Sequence, residues 1–244
     1  MKVVEIFNSI EGEGIRAGFP CTFIRLFGCN LNCSYCDSRY ACEEEKESSD
    51  KFISYTPSVM SIPEIMERVE YFQTKRVTVT GGEPLIHPGI EKLLKALVDD
   101  GYEVNVETNG TQFPKRYILE PDEFFDYRKN CEVRLINPSA GKVFFTMDWK
   151  CKSSGMEDKM NINLVNELTG DDVLKFVVGN IEDMDGALMV IEQMTSHPHI
   201  FFSPVFGSIE PKTIVGYLQE KKLNDCRVQL QMHKFIWDPN QRGV

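Results

Sequence analysis

The chain has 244 residues, of which 42% are hydrophobic and 26% charged. That is an ordinary globular composition at the length of one large domain or two small ones, and it excludes collagen-like, disordered and multi-span membrane architectures. Lys and Arg total 27 against 37 Asp and Glu, a formal net charge of −10, and no basic run interrupts that excess to receive a nucleic acid, which favours a small-molecule role.

Eight cysteines would suit a disulfide framework in a short secreted chain, but the opening MKVVEIFNSIEGEG lacks the apolar run of a leader. No stretch approaches the ~18 apolar residues of a membrane span. The expectation is a cytoplasmic protein with reduced thiols and no membrane partner. In chain order, residues 21–27, CTFIRLF, are rich in β-formers and run into a cysteine cluster, which predicts a strand delivering a loop. Residues 39–51, RYACEEEKESSDK, predict a charged loop insertion. Ser61 and Glu64 make a capping box, with Pro63 in the first turn and Ile65, Met66 and Val69 at helical spacing.

From there the pattern alternates. RVTVT (76–80) predicts a strand, 88–100 places Ile90, Leu93, Leu94 and Leu97 on one helical face before Gly101, and EVNVE (103–107) predicts the next strand. EVRLI (132–136), VFFTMD (143–148), LKFVV (174–178), HIFF (199–202) and RVQLQ (227–231) follow as strands, with helical patterns near 182–194 and 211–222. This alternation predicts one α/β domain over residues 1–244 with a largely parallel sheet, open or curled toward a barrel. The cysteine loop, Gly81–Pro84, Thr108–Gly110, Asp148–Lys150, Ser203–Pro204 and His233 all follow strands, at the ends where such folds build their sites. Arg25, between Ile24 and Leu26 on a strand, needs a partner: Glu5, Glu83, Glu107 or a ligand. Cys21, Cys131, Cys151 and Cys226 read as small buried residues, and Phe235 and Trp237 as core.

Cys29, Cys33 and Cys36 form C-x3-C-x2-C within GCNLNCSYCDS. A tight run of thiolates on one loop suits three corners of an iron–sulfur cubane and leaves the fourth open for reaction. On spacing alone the alternatives are zinc, with Asp37 or Cys42 as the fourth ligand, and unligated thiols. With Tyr35 ahead of the last cysteine, the loop resembles that of the radical S-adenosylmethionine superfamily, and Gly81-Gly82-Glu83-Pro84 resembles its second motif. The resemblance implies a [4Fe-4S] cluster on Cys29, Cys33 and Cys36 that binds S-adenosyl-L-methionine at its fourth iron. Reduction by a donor such as flavodoxin or ferredoxin then releases methionine and a 5′-deoxyadenosyl radical.

A narrower resemblance covers most of the chain. EIFNSIEGEG, FIRLFGC, YCDS, VTVTGGEP, ETNG, DWKCKSSGMEDKM and the final QMHKFIWDPNQRGV are similar to the 7-carboxy-7-deazaguanine synthase family. That family contracts the ring of 6-carboxy-5,6,7,8-tetrahydropterin to 7-carboxy-7-deazaguanine with loss of ammonia, in queuosine and 7-deazapurine biosynthesis. The resemblance implies a shortened (partial) βα barrel, a homodimer and a magnesium ion. It implies that Ile10, Glu11, Gly12, Arg25, Thr80 and the carboxylate of Val244 bind the pterin, with Arg25 on its carboxylate. Tyr35, Cys36, Asp37, Gly82, Asp148, Trp149, Lys150, Ser203, Pro204, Val205 and Phe206 would surround S-adenosylmethionine, and Ser38 would touch magnesium. The family usually has Gln at the position of Glu11, and Ser-Pro-Lys in place of the DWKCKSSG form. Two alternatives stand beside this reading: an activase that places a glycyl radical on a partner enzyme, and a non-catalytic zinc-binding interaction protein.

Overall fold

The computed structural model describes residues 1–42, 57–112, 124–126, 131–133, 142–239 and 241–244. Its strands are β1 (Lys2–Ile10), β2 (Pro20–Leu26), β3 (Ser58–Val59), β4 (Arg76–Gly81), β5 (Glu103–Thr108), β6 (Phe124–Asp126), β7 (Cys131–Val133), β8 (Lys142–Lys150), β9 (Val173–Val178), β10 (His199–Pro204) and β11 (Cys226–Val228). Among the described residues nine strands form one sheet in the order β11-β10-β9-β8-β5-β4-β2-β1-β3, and β6 pairs with β7 apart from it. The seven strands from β2 to β11 run parallel, while β1 pairs antiparallel with β2 and β3 with β1. A mainly parallel sheet with helical crossovers whose two edge strands do not pair with each other is a partial βα barrel.

The helices are α1 (Ile62–Tyr71), α2 (Ile90–Asp99), α3 (Ile162–Val165), α4 (Ile181–Gln193), α5 (Pro211–Glu220) and α6 (His233–Ile236). The Ser61 cap forms as the sequence predicts: the Ser61 hydroxyl accepts from Glu64 N–H, and the Glu64 carboxylate accepts from Ser61 N–H at 2.7 Å. In α2, Ile90, Leu93, Leu94 and Leu97 are all buried. The helix stops at Gly101, whose φ of +88° favours a residue without Cβ. The helices α2, α4 and α5 cover the sheet at β5 and β8, at β9, and at β10 and β11 respectively.

The period of two along each strand then sorts the residues by face. Ile24 and Leu26, Val77 and Val79, Val104 and Val106, Phe145 and Met147, and Leu174 and Phe176 enter the buried core. The residues between them face the other way: Arg25, Thr80, Glu107, Asp148 and Lys175 all line one cleft. Register brings them side by side, with Arg25 opposite Thr80 and Asp148 opposite Lys175.

Four expectations change. Lys2–Ile10 is a nine-residue strand that no earlier signal marked. The Thr108, Asp148–Lys150 and Ser203–Pro204 groups occupy the last positions of β5, β8 and β10, not the loops after them. Phe235, expected in the core, is 65% exposed, because the single turn of α6 lies at the surface. Of the insertion at 39–51, Arg39–Ala41 form a 3-10 turn, and 43–51 lie outside the described residues, as does the Cys131 side chain.

Candidate active site

The cysteine loop leaves β2 and is pinned at several points. Gly28 N–H donates to Ala41 O at 2.7 Å, which closes the loop into a ring, and Ser34 N–H donates to Ser154 O at 3.0 Å. Gly82 shows why the second motif needs glycine: a Cβ there would lie 2.1 Å from Gly28 O and 2.9 Å from Cys29 Cβ. The Glu83 carboxylate, fully buried, ties the third loop in by accepting from Leu85 N–H, Thr108 Oγ1–H and Asn109 N–H. Asn109 Nδ2–H in turn donates toward Cys29 Sγ at 3.6 Å, and Leu31 N–H approaches the same sulfur at 3.4 Å.

Those donors are the observation on which a cluster can be tested. Cys29 and Cys36 are drawn down to about 6, in each case first by a hydrogen bond from Cys42. Further lowering comes from Leu31 N–H and Asn109 at Cys29, and from Ser38 N–H at Cys36. Burial pushes Cys33 up, against the nearby Lys150 ammonium. Sulfurs on one loop, receiving N–H donors and facing a cation, fit the thiolate ligands of an iron–sulfur cluster. Among the described residues no three His, Cys, Asp or Glu side chains gather around a single ion position. Asp37, one of the two candidates for a zinc ligand, is paired with Lys234 Nζ at 3.0 Å.

The cleft encloses about 540 Å³, within the range of small-molecule sites. Of the residues expected around a substrate, Ile10, Glu11, Gly12, Arg25, Thr80 and Val244 line it, as do Tyr35, Asp37, Ser38, Gly82, Asp148, Lys150 and Pro204–Phe206 beside the three cysteines. Trp149 does not; alternation along β8 turns its ring into the core. Ser203 is buried, lies outside the cleft lining, and its hydroxyl has no protein partner.

Charge is arranged in two groups. In the first, Lys175 Nζ bridges Glu13 and Asp148, while Lys150 Nζ holds the other Asp148 oxygen at 2.9 Å. Burial opposes the Lys175 ammonium, but Asp148, Glu13 and Glu107 outweigh it and keep the group protonated. In the second, Arg25 Nε–H donates to Glu5 Oε1 at 2.8 Å. Its two Nη atoms have no protein partner among the described residues, so the salt bridge and a ligand are both accommodated by one guanidinium. Glu11 is buried and accepts from Thr78 Oγ1–H. Burial first, then the charge of Glu107, raises its carboxyl to about 8, so it is largely neutral at pH 7. Burial likewise raises Glu107.

Several of these groups are brought together from distant parts of the chain. Glu13 and Lys175 lie 162 positions apart, and Tyr40, Lys234 and Arg242 enter the cleft from segments whose local patterns mark only surface.

Residues 23–139 match the Radical SAM superfamily. Over the whole chain, a 7-carboxy-7-deazaguanine synthase from Clostridium acetobutylicum is 41% identical, with 100% of this chain and 99% of that one covered. The chain belongs to the 7-carboxy-7-deazaguanine synthase family. A family member from Chlorobaculum tepidum is 35% identical, covering 100% of this chain and 97% of that protein. The crystal structure of QueE from Escherichia coli aligns with a TM-score of 0.69 over 95% of this chain and 94% of that one, at 20% identity, a likeness of fold. Membership in this family sets aside the activase and zinc-binding readings. No helix among the described residues is long and apolar enough to cross a membrane.

Proposed function

We propose that this cleft is where a single-domain radical S-adenosylmethionine lyase contracts 6-carboxy-5,6,7,8-tetrahydropterin to 7-carboxy-7-deazaguanine with loss of ammonia. The observation that carries the reading is that a three-thiol loop and an arginine whose two Nη nitrogens are uncommitted among the described residues open into one small cavity. Cys29, Cys33 and Cys36 would hold the [4Fe-4S] cluster, with S-adenosylmethionine against Tyr35, Asp37, Gly82, Asp148, Lys150 and Pro204–Phe206. When bound, cluster and cofactor supply a 5′-deoxyadenosyl radical able to take a hydrogen atom.

The chain's own residues bind, orient and shield. Arg25 offers its two Nη donors to the substrate carboxylate, a planar match, while Glu5 fixes the other edge of the guanidinium. Thr80 hydrogen-bonds Glu107 and so orients it at the cavity wall. Glu11 keeps its proton at neutral pH, so it meets the pterin as a neutral group hydrogen-bonded to Thr78, beside the Ile10 and Gly12 backbone. Gly12 has no side chain, which lets His233 close the wall: a Cβ there would lie 2.8 Å from His233 Nδ1. Val244 and Phe206 also line the cavity.

Ser38 Oγ–H donates to Asp37 Oδ1 at 3.1 Å. The Ser38 hydroxyl is a hard oxygen at the cleft edge that fits a magnesium ion keeping most of its water. A cytoplasmic homodimer served by a flavodoxin or ferredoxin completes the proposal. The test is anaerobic reconstitution with iron and sulfide, followed by assay with the pterin, S-adenosylmethionine and a reductant. The deazaguanine is expected. A cluster-loaded protein that cleaves S-adenosylmethionine and yields no deazaguanine overturns the substrate assignment.

A further inference from the structure

We propose that Tyr40 is a positioning residue that couples closure of the 241–244 segment to the set of the Arg25 guanidinium, and so to recognition of the substrate carboxylate. The inference rests on the reading of the cleft as the pterin site and deepens it.

Three observations meet at Tyr40. Its hydroxyl donates to Glu5 Oε1 at 3.0 Å, the same oxygen that accepts Arg25 Nε–H at 2.8 Å. One carboxylate oxygen therefore holds both groups, and a shift of either changes the hold on the other. Next, the Arg25 guanidinium carbon lies 5.7 Å from the Tyr40 ring centre and 5.9 Å from that of Phe7, so the fork lies near two rings as well as against the carboxylate. Finally, Arg242 stacks on the Tyr40 ring at 4.0 Å, the distance of a close cation–π contact. Gly243, at φ +71°, passes so near Glu5 that a Cβ would lie 3.7 Å from Oε2. Arg25, Tyr40, Arg242 and Gly243 all line the cavity.

Tyr40 also has a fixed base. It sits in the 3-10 turn Arg39–Ala41, where Ala41 O accepts from Gly28 N–H at the root of the cysteine loop. The ring thus stands on the cluster loop, holds the arginine's carboxylate with its hydroxyl, and presents its face to the closing segment. A closed segment loads Tyr40 through Arg242, and Tyr40 passes that to Arg25 through Glu5. Closure over the cavity and alignment of the two Nη donors become one event.

The experiment compares Tyr40→Phe, which keeps the ring and removes the hydroxyl, with Arg242→Gln, which removes the stacked cation without touching the cysteine loop. Cluster absorbance and melting temperature report that each variant is folded and loaded. Each single variant is expected to raise KM for the pterin about tenfold, the scale of a lost hydrogen bond to a charged group, with kcat within about twofold of wild type. The Ki of a tetrahydropterin lacking the 6-carboxylate should stay unchanged in both, because the arginine then has nothing to align. The two changes together should cost less than the product of the single effects. An unchanged KM in Tyr40→Phe, an equal rise in the carboxylate-free Ki, or strictly multiplicative effects each overturn the coupling. Wild type without deazaguanine product would instead remove the reading of the site, and this inference with it.

Discussion

Replacing Glu11 by Gln should stabilise the folded protein, and increasingly so as pH rises. The buried carboxyl stands at about 8 in the fold against 4.5 for an ordinary glutamate, first because burial disfavours its charge and then because Glu107 repels it. A group whose folded value is raised favours the fold fully below its unfolded value and loses that contribution as pH rises through the folded one. The window therefore runs from about 4.5 to 8. At pH 7 the fold must keep a proton that the unfolded chain has released, and 2.5 pH units at 1.36 kcal/mol each amount to a penalty on the order of 3 kcal/mol. Gln keeps an oxygen to accept from Thr78 and places amide hydrogens, not a charge, beside Glu107. On a domain of this size that is a rise of roughly 6 to 12 °C in melting temperature. Paired anaerobic melts of cluster-loaded wild type and Glu11→Gln at half-unit steps from pH 5 to 8.5 measure it. The gap should be small at pH 5 and widen steadily to pH 8. A gap that does not change with pH refutes the neutral buried carboxyl.

Three further outcomes follow from the same geometry. Gly82→Ala should abolish the brown iron–sulfur absorbance on reconstitution, because its Cβ would drive into Gly28 O and displace Cys29; a normally loaded variant would contradict that packing. Lys175→Met should cost about 3 kcal/mol in denaturant unfolding, since it strips Glu13 and Asp148 of a shared buried cation, and a loss under 1 kcal/mol would mean that the remaining donors suffice. Arg25→Lys keeps the charge and loses the fork, so KM for the pterin should rise about tenfold or more in steady-state assays, with an unchanged KM ruling out a bidentate contact.

How far the sequence reveals this arrangement depends on whether a residue's role is local. Alternation in RVTVT and EVNVE and the Ser61 capping box are local signals, and they recur in the structure within a residue or two. Arg25 stands out because a charge between two aliphatic strand residues has to be accounted for. The same logic applies to Lys175 within LKFVV, and it identifies the second charged group of the cleft. Alternation also separates Trp149 from its neighbours Asp148 and Lys150, which contiguous carry-over of a motif does not. Tyr40, Arg242 and Glu13 are different. Their partners are 35, 202 and 162 positions away, and only the closing of the sheet and the return of the final segment bring them together.

The same closing of the sheet resolves the tension between an acidic chain and anionic ligands. Among the described residues the cleft is lined by six cationic side chains, Arg25, Arg39, Lys150, Lys175, Lys234 and Arg242, against five carboxyl side chains, Glu11, Glu13, Asp37, Glu107 and Asp148, and the Val244 terminal carboxylate. With Glu11 neutral at pH 7, the six cations face four charged carboxylate side chains, the Val244 carboxylate and the Cys29 and Cys36 thiols drawn down to about 6, so the cleft is close to balanced although the whole chain carries −10. Surface acids more than about 8 Å away are screened at physiological ionic strength, whereas charges inside the cleft are not. The field met by a pterin carboxylate is therefore set by these few paired groups. The three lysines are also neutralised by near carboxylates: Lys175 by Glu13 and Asp148, Lys150 by Asp148, and Lys234 by Asp37. Arg25 differs because Glu5 engages its Nε and, among the described residues, two directed donors are left. Specificity for an anion in this cleft accordingly comes from the geometry of one guanidinium, and net charge alone gives little guide to what the site accepts.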